Sequence, residues 1–154
     1  MLRWADANFP VICFLNSNLQ GLVVRLGGIY GPGRNRLALL LKESGVPQMT
    51  ENKFVNRIRV QDAASAIELL LKNGNPGEVY LAVDDEPTSE DEFYLWFSQL
   101  KLQGSCQPLA GLTEGRLLPT GKKCSNRKLK SLGWRLGYPT FREGYADLLK
   151  AAEK

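Results

Sequence analysis

Three groups of residues have types and spacings that could do chemistry. The first is acidic: Asp84, Asp85 and Glu86, with Glu90, Asp91 and Glu92 just beyond. Such a group could collect calcium or magnesium, which need several oxygen ligands converging on one point. The same residues fall at a strand end and in a helix's first turn, where the helix dipole favours carboxylates without a metal. That plainer role is the one expected, and nothing in the spacing supports a glycosidase-type carboxylate pair. The second group is glycine-rich. Gly31-Pro32-Gly33 followed by Arg36 begins like G-x-G-x-x-G but lacks the third glycine, and no acidic residue closes a properly spaced next strand. A turn is expected there. Gly115 to Lys123 imitates a Walker loop, yet its glycines stand one residue too far apart and Lys123 occupies the place of the magnesium-binding Ser or Thr. The third group is basic: Lys122, Lys123, Arg127, Lys128 and Lys130. It could face phosphates, or be a solvated helix face. Aromatic residues are not interleaved with it as a base-stacking platform requires, so nucleic acid is not the expected partner.

Other chemistry is excluded outright. The 154 residues contain no histidine, so they can build no Ser-His-Asp triad, Cys-His dyad, histidine-ligated zinc or histidine proton shuttle. Cys13, Cys106 and Cys124 are odd in number and lack C-x-x-C spacing, which excludes a four-cysteine zinc site and a disulfide scaffold within one chain. Reduced thiols of a cytoplasmic protein are expected. Arg3 and Phe9 to Leu15 loosely imitate a signal peptide, but Asp6 and Pro10 spoil the pattern.

The elements that must position these residues follow from patterning. A chain of 154 residues, 44% hydrophobic and with net charge +4, is one ordinary domain's worth of sequence. Its longest apolar runs, Val11 to Leu15 and Leu37 to Leu41, fall far short of the ~20 residues that span a bilayer, so no membrane partner is expected. Leu22 to Leu26 reads as a buried strand ending at Gly27-Gly28, with Ile29 to Gly33 as the turn after it. Arg36 to Glu43 reads as a short helix and Phe54 to Val60 as a strand or extended segment. Asp62 can cap a helix over Ala63 to Lys72 with Ala66, Ile67, Leu70 and Leu71 on its apolar face, and Glu78 to Val83 is a further buried strand. A helix flanked by two apolar strands argues for parallel pairing between them. Ser89 with Glu92, and Thr140 with Glu143, are capping-box signatures for helices reaching about Leu100 and Ala152. Residues 101–124 read as loop, and Ser125 as the cap of a helix over Asn126 to Leu132. The sum is α/β at the front and mostly helical behind.

One stretch changes the functional picture. Val23-Val24-Arg25-Leu26-Gly27-Gly28-Ile29-Tyr30-Gly31-Pro32-Gly33 resembles the strand and Y-G-P loop of extended short-chain dehydrogenases/reductases, the NAD-dependent epimerase/dehydratase family. Arg57 to Ala64 resembles that family's I-H-V-x-D-x-A segment, and Gly77 to Pro87 its last sheet strand and following turn. Ser125 to Leu129, Leu132-Gly133-Trp134, Tyr138-Pro139 and Gly144 resemble its C-terminal lobe. The matches run in order over about residues 19–150. The resemblance implies the last two strands of a Rossmann-type parallel sheet plus a mostly helical substrate lobe. It divides the chain into an atypical leader over 1–18, part of a Rossmann-like domain over 19–88 and a small lobe over 89–154.

The resemblance also implies a site. Gly28, Ile29, Tyr30 and Pro32 would lie on the side of the cofactor, NAD or NADP, and Arg34, Arg57 and Arg59 would face a small-molecule substrate such as a sugar nucleotide. Guanidinium groups suit its phosphate or carboxylate through bidentate bonds. Two positions depart from the family: Arg59 stands where its His is usual, and Val55 where sugar-nucleotide epimerases carry Arg. The family's G-x-x-G-x-x-G loop and Tyr-x-x-x-Lys pair are absent from these residues; Tyr30 and Tyr138 are each followed four residues on by Arg. A truncated form, inactive alone, is therefore expected. Its first strand would keep an open edge, to be paired with a second copy or a separate N-terminal half. The alternatives are a module that works only through that strand edge and a basic nucleic-acid-binding domain.

Overall fold

The computed structural model describes residues 21–34, 51–102 and 118–152. The leader over 1–18, the helix expected over Arg36 to Glu43 and most of the 101–124 loop lie outside the described residues. In chain order the elements are β1 (Val23–Leu26), β2 (Gly28–Tyr30), β3 (Phe54–Val55), β4 (Arg57–Arg59), α1 (Val60–Asn73), β5 (Val79–Ala82), β6 (Thr88–Ser89), α2 (Glu90–Leu102), α3 (Arg127–Ser131) and α4 (Phe141–Ala152). The fold is α/β, with short parallel strands in front and helices behind.

The strand at the front changes partner halfway. Val23 to Leu26 pairs in parallel with Val79 to Ala82, whereas Gly28 to Tyr30 pairs in parallel with Arg57 to Arg59. Gly27 donates to the Ala82 carbonyl at 3.0 Å and Gly28 to the Asn56 carbonyl at 2.8 Å, so the switch falls on the glycine pair. A Cβ at Gly27 would sit 2.7 Å from the Asn56 oxygen, closer than atoms pack, which explains the glycine there. The parallel pairing expected between the two apolar strands forms, β1 with β5, while β4 pairs with β2. One expectation is corrected here: Ile29 and Tyr30 belong to a strand rather than to the turn. β3 and β6 form a separate antiparallel pair, Phe54 opposite Ser89.

The helix α1 also begins differently. It starts at Val60 with no side-chain cap, and Asp62 lies within its first turn. The Asp62 carboxylate instead accepts from the backbone N–H groups of Gly137 (2.7 Å) and Tyr138 (3.0 Å), pinning the connection before α4. Its buried side is Ala63, Ala66 and Leu70, while Ile67 and Leu71 are exposed, so the expected apolar face is rotated by part of a turn. One arm of each capping box forms: the Glu92 carboxylate accepts from Ser89 N–H at 3.1 Å and that of Glu143 from Thr140 N–H at 2.8 Å, while Glu92 N–H donates to Asp91 Oδ1 rather than to the Ser89 hydroxyl. Ser125 is not the cap of α3. Asn126 holds that position and sends its amide to Val83 O (2.9 Å) and Asp85 Oδ1 (2.7 Å), tying α3 to the end of β5.

Apolar burial forms two clusters. One gathers Tyr30, Phe93, Tyr94, Phe97, Phe141, Tyr145 and Leu148 between β2, α2 and α4. The other gathers Ile58, Ala63, Ala66, Leu70, Tyr80, Ala82, Leu129 and Trp134 between β4, β5, α1 and α3. No helix among the described residues is long and apolar enough to cross a membrane.

Candidate functional site

The loop after β2 is the most open part of the expected site. Gly31 and Arg34 exchange backbone bonds of 2.9 and 3.1 Å, closing a turn that leaves Pro32, Gly33 and Arg34 exposed. Gly33 takes a φ of +71°, a conformation that favours glycine. Gly28 is exposed, and a Cβ there would meet only the Asn56 oxygen, at 3.6 Å. Ile29 is half-buried against the second apolar cluster. Tyr30 turns inward. Its ring stacks on Tyr145 with centroids 4.4 Å apart and planes 9° from parallel. The hydroxyl has no hydrogen-bond partner, and burial, with the Asp84 charge second, pushes its pKa above the usual phenol value.

Arg57 and Arg59 are also interior groups. The Arg57 guanidinium lies 4.4 Å over the Phe93 ring and 5.5 Å from that of Phe141, and burial lowers its pKa. Arg59 is only 2% exposed. It donates to the Gly144 carbonyl, to Asp147 Oδ2 at 2.6 Å and to Gln61 Oε1 at 3.0 Å, and lies over the Tyr138 ring at 4.2 Å. In the place of the resembled family's His, this arginine clasps α4 to the start of α1. Arg34 is exposed, so the three arginines do not share one surface.

Asp84, at the end of β5, was not singled out by itself in the sequence. It is 2% exposed, and its Oδ2 has no hydrogen-bond partner. Its Oδ1 accepts only a 3.3 Å bond from Glu86 N–H. Burial pushes its pKa up to about 7, against the opposing pull of that bond and of Arg57. An aspartate closing an apolar strand gives no sequence signal of burial. The remaining carboxylates have protein partners: Asp85 binds Lys130 at 2.6 Å and Glu86 binds Arg142 at 3.0 Å. Among the described residues no three metal-binding side chains form a group. Two of the five residues of the basic cluster are ion-paired, Lys128 with Glu78 and Lys130 with Asp85.

A cleft of about 390 Å³ lies elsewhere, against α2, with Glu86, Glu92, Trp96, Gln99, Lys123 and Arg142 among its lining. None of the seven expected site residues lines it.

No protein-family profile and no curated protein sequence matches the chain. Solved structures do. A functionally unknown conserved protein from Silicibacter pomeroyi DSS is 31% identical over 86% of this chain and 49% of its own, with a TM-score of 0.65. A protein from Methylobacillus flagellatus assigned as an NAD-dependent epimerase/dehydratase is 24% identical over 99% of this chain and 55% of its own, with a TM-score of 0.75. The dTDP-glucose 4,6-dehydratase of Bacillus anthracis str. Ames, solved in complex with NAD, is 20% identical over 97% of this chain and 50% of its own, with a TM-score of 0.67. The chain thus has the fold of the NAD-dependent epimerases/dehydratases, the extended short-chain dehydrogenases/reductases. It spans about half the length of the structures it matches.

The residues that the resemblance gives to a nicotinamide cofactor divide between exposed and interior positions. Gly28 and the Pro32–Arg34 turn are exposed, whereas Tyr30 is buried. The sequence supplies neither a glycine loop for the pyrophosphate nor a Tyr-x-x-x-Lys pair, so no reaction step is assigned to these residues.

Proposed function

We propose that this chain is the substrate-lobe portion of an NAD(P)-dependent epimerase, dehydratase or reductase acting on a sugar nucleotide or related small polar substrate, and that it has no turnover alone. Gly28 and Pro32 form its cofactor-side rim and Arg34 its exposed cation for a substrate anion. Ile29, Tyr30, Arg57 and Arg59 support that rim from behind. NAD or NADP is held jointly with a separate N-terminal half, which a second copy of the chain can replace at the strand edge but not at the cofactor.

The observation that carries this reading is the pairing of β1. Among the described residues Val23 to Leu26 pairs in parallel with Val79 to Ala82, in a sheet of two strands. A two-stranded sheet is marginal in water, and an open edge is a template for another strand. Sedimentation over roughly a hundredfold range of concentration tests it, because an edge-paired assembly dissociates by mass action. Mass rising with concentration is expected; a compact monomer throughout contradicts the open edge.

A further inference from the structure

The cleft against α2 takes no part in the nicotinamide reading, and its charges are not equally committed. Glu86 holds the Arg142 guanidinium through Nε at 3.1 and 3.2 Å and Nη2 at 3.0 Å. Glu92 accepts from the N–H of Ser89 at 3.1 Å and from its hydroxyl at 2.9 Å. Both carboxylates therefore serve internal partners. The cations do not. Arg142 keeps its Nη1 without a hydrogen bond to a described residue. Lys123 is exposed, with Nζ 4.4 Å over the Phe54 ring and no ion pair to a described residue. Trp96 supplies the apolar wall. Its ring is fixed edge-on against Phe141, centroids 5.1 Å apart and planes at 82°, and remains half-exposed.

We infer that this cleft binds a small oxyanion carrying a flat ring, an aromatic phosphate or carboxylate. The anionic group sits between Lys123 and the free edge of Arg142, and the ring lies against Trp96. Ammonium and guanidinium donors suit oxyanions through charge-assisted bonds, and an indole suits a second ring. A cleft of about 390 Å³ admits a molecule of that size. A cationic ligand is disfavoured, because it would have to take Glu86 from Arg142 or Glu92 from Ser89.

Titration of the full chain with phenyl phosphate and with inorganic phosphate, followed by the Trp96 indole resonance and by calorimetry, tests the site. Phenyl phosphate is expected to shift Trp96 saturably and to bind roughly fivefold more tightly than phosphate. Lys123→Met, at an exposed position that leaves folding intact, is expected to weaken phenyl phosphate roughly tenfold or more. Trp96→Leu is expected to abolish the preference for the ring while phosphate still binds. No saturable shift at Trp96, equal binding of the two probes, or unchanged affinity in Lys123→Met overturns the assignment. NADH affinity does not enter any of these outcomes, so the cleft and the nicotinamide reading fail separately.

Discussion

At the scale of single residues the chain carries polar groups buried without partners, and these make sharp tests. The Asp84 carboxyl is held up to about 7 by burial, against 3.8 for an ordinary aspartate. Between those values the folded chain keeps a proton that the unfolded chain has released. Stability is therefore expected to fall as pH rises from about 4 to 7, and to level off above. Asp84→Asn removes the charge without changing shape. It is expected to stabilise the chain at about pH 8 by on the order of 2 kcal/mol and to flatten the denaturation midpoint against pH; a parallel, unflattened profile contradicts a carboxyl that titrates in the interior. Tyr30 makes the second test. A Cβ at Gly144 would lie 2.8 and 2.9 Å from its ring carbons and closer still to its hydroxyl. Gly144→Ala is expected to cost about 1–3 kcal/mol in denaturant unfolding, and Tyr30→Phe to recover part of that loss in the double variant. Additive effects would mean that the two do not touch. Neither feature could be read from sequence. Tyr30 stood out as a loop residue of a resembled motif, but its burial depends on Tyr145 and Gly144, far along the chain. Arg57 and Arg59 looked like substrate cations for the same reason, since the rings and carbonyls that receive them come from α2 and α4.

At the scale of elements, local signals were legible where the bond that closes an element is itself local. Ser89 with Glu92 and Thr140 with Glu143 lie three residues apart, and in both the glutamate accepts from the first residue's N–H as the spacing predicts. Asp62 misled because its partners are distant: a carboxylate near a helix start looks like a cap, but this one binds the N–H groups of Gly137 and Tyr138. The pairing of β4 with β2 was hidden for a similar reason, since periodicity marks a strand without naming its neighbour. Asp62→Ala removes an acceptor from two backbone donors and is expected to destabilise by about 2–4 kcal/mol. Amide exchange at Gly137 and Tyr138 should accelerate more than at Leu70 in the middle of α1's buried face. Uniform acceleration would show that Asp62 supports the whole fold rather than this connection.

At the scale of the whole molecule, the order of motifs along the chain already indicated the fold, and the α/β structure with parallel front strands agrees with it. The chain spans about half of the structures it matches, and the proposed function gives the β2 loop to one wall of a nicotinamide site. Two patterns of the resembled family are not found in these residues: no tyrosine is followed by a lysine four residues on, and no G-x-x-G-x-x-G occurs. The central claim is that this portion does not hold the cofactor by itself. Calorimetric titration of the folded chain with NADH and with NADPH tests it most directly. No saturable heat at micromolar cofactor is the expected result; micromolar binding by the chain alone would contradict the claim and place a complete nucleotide site within these residues.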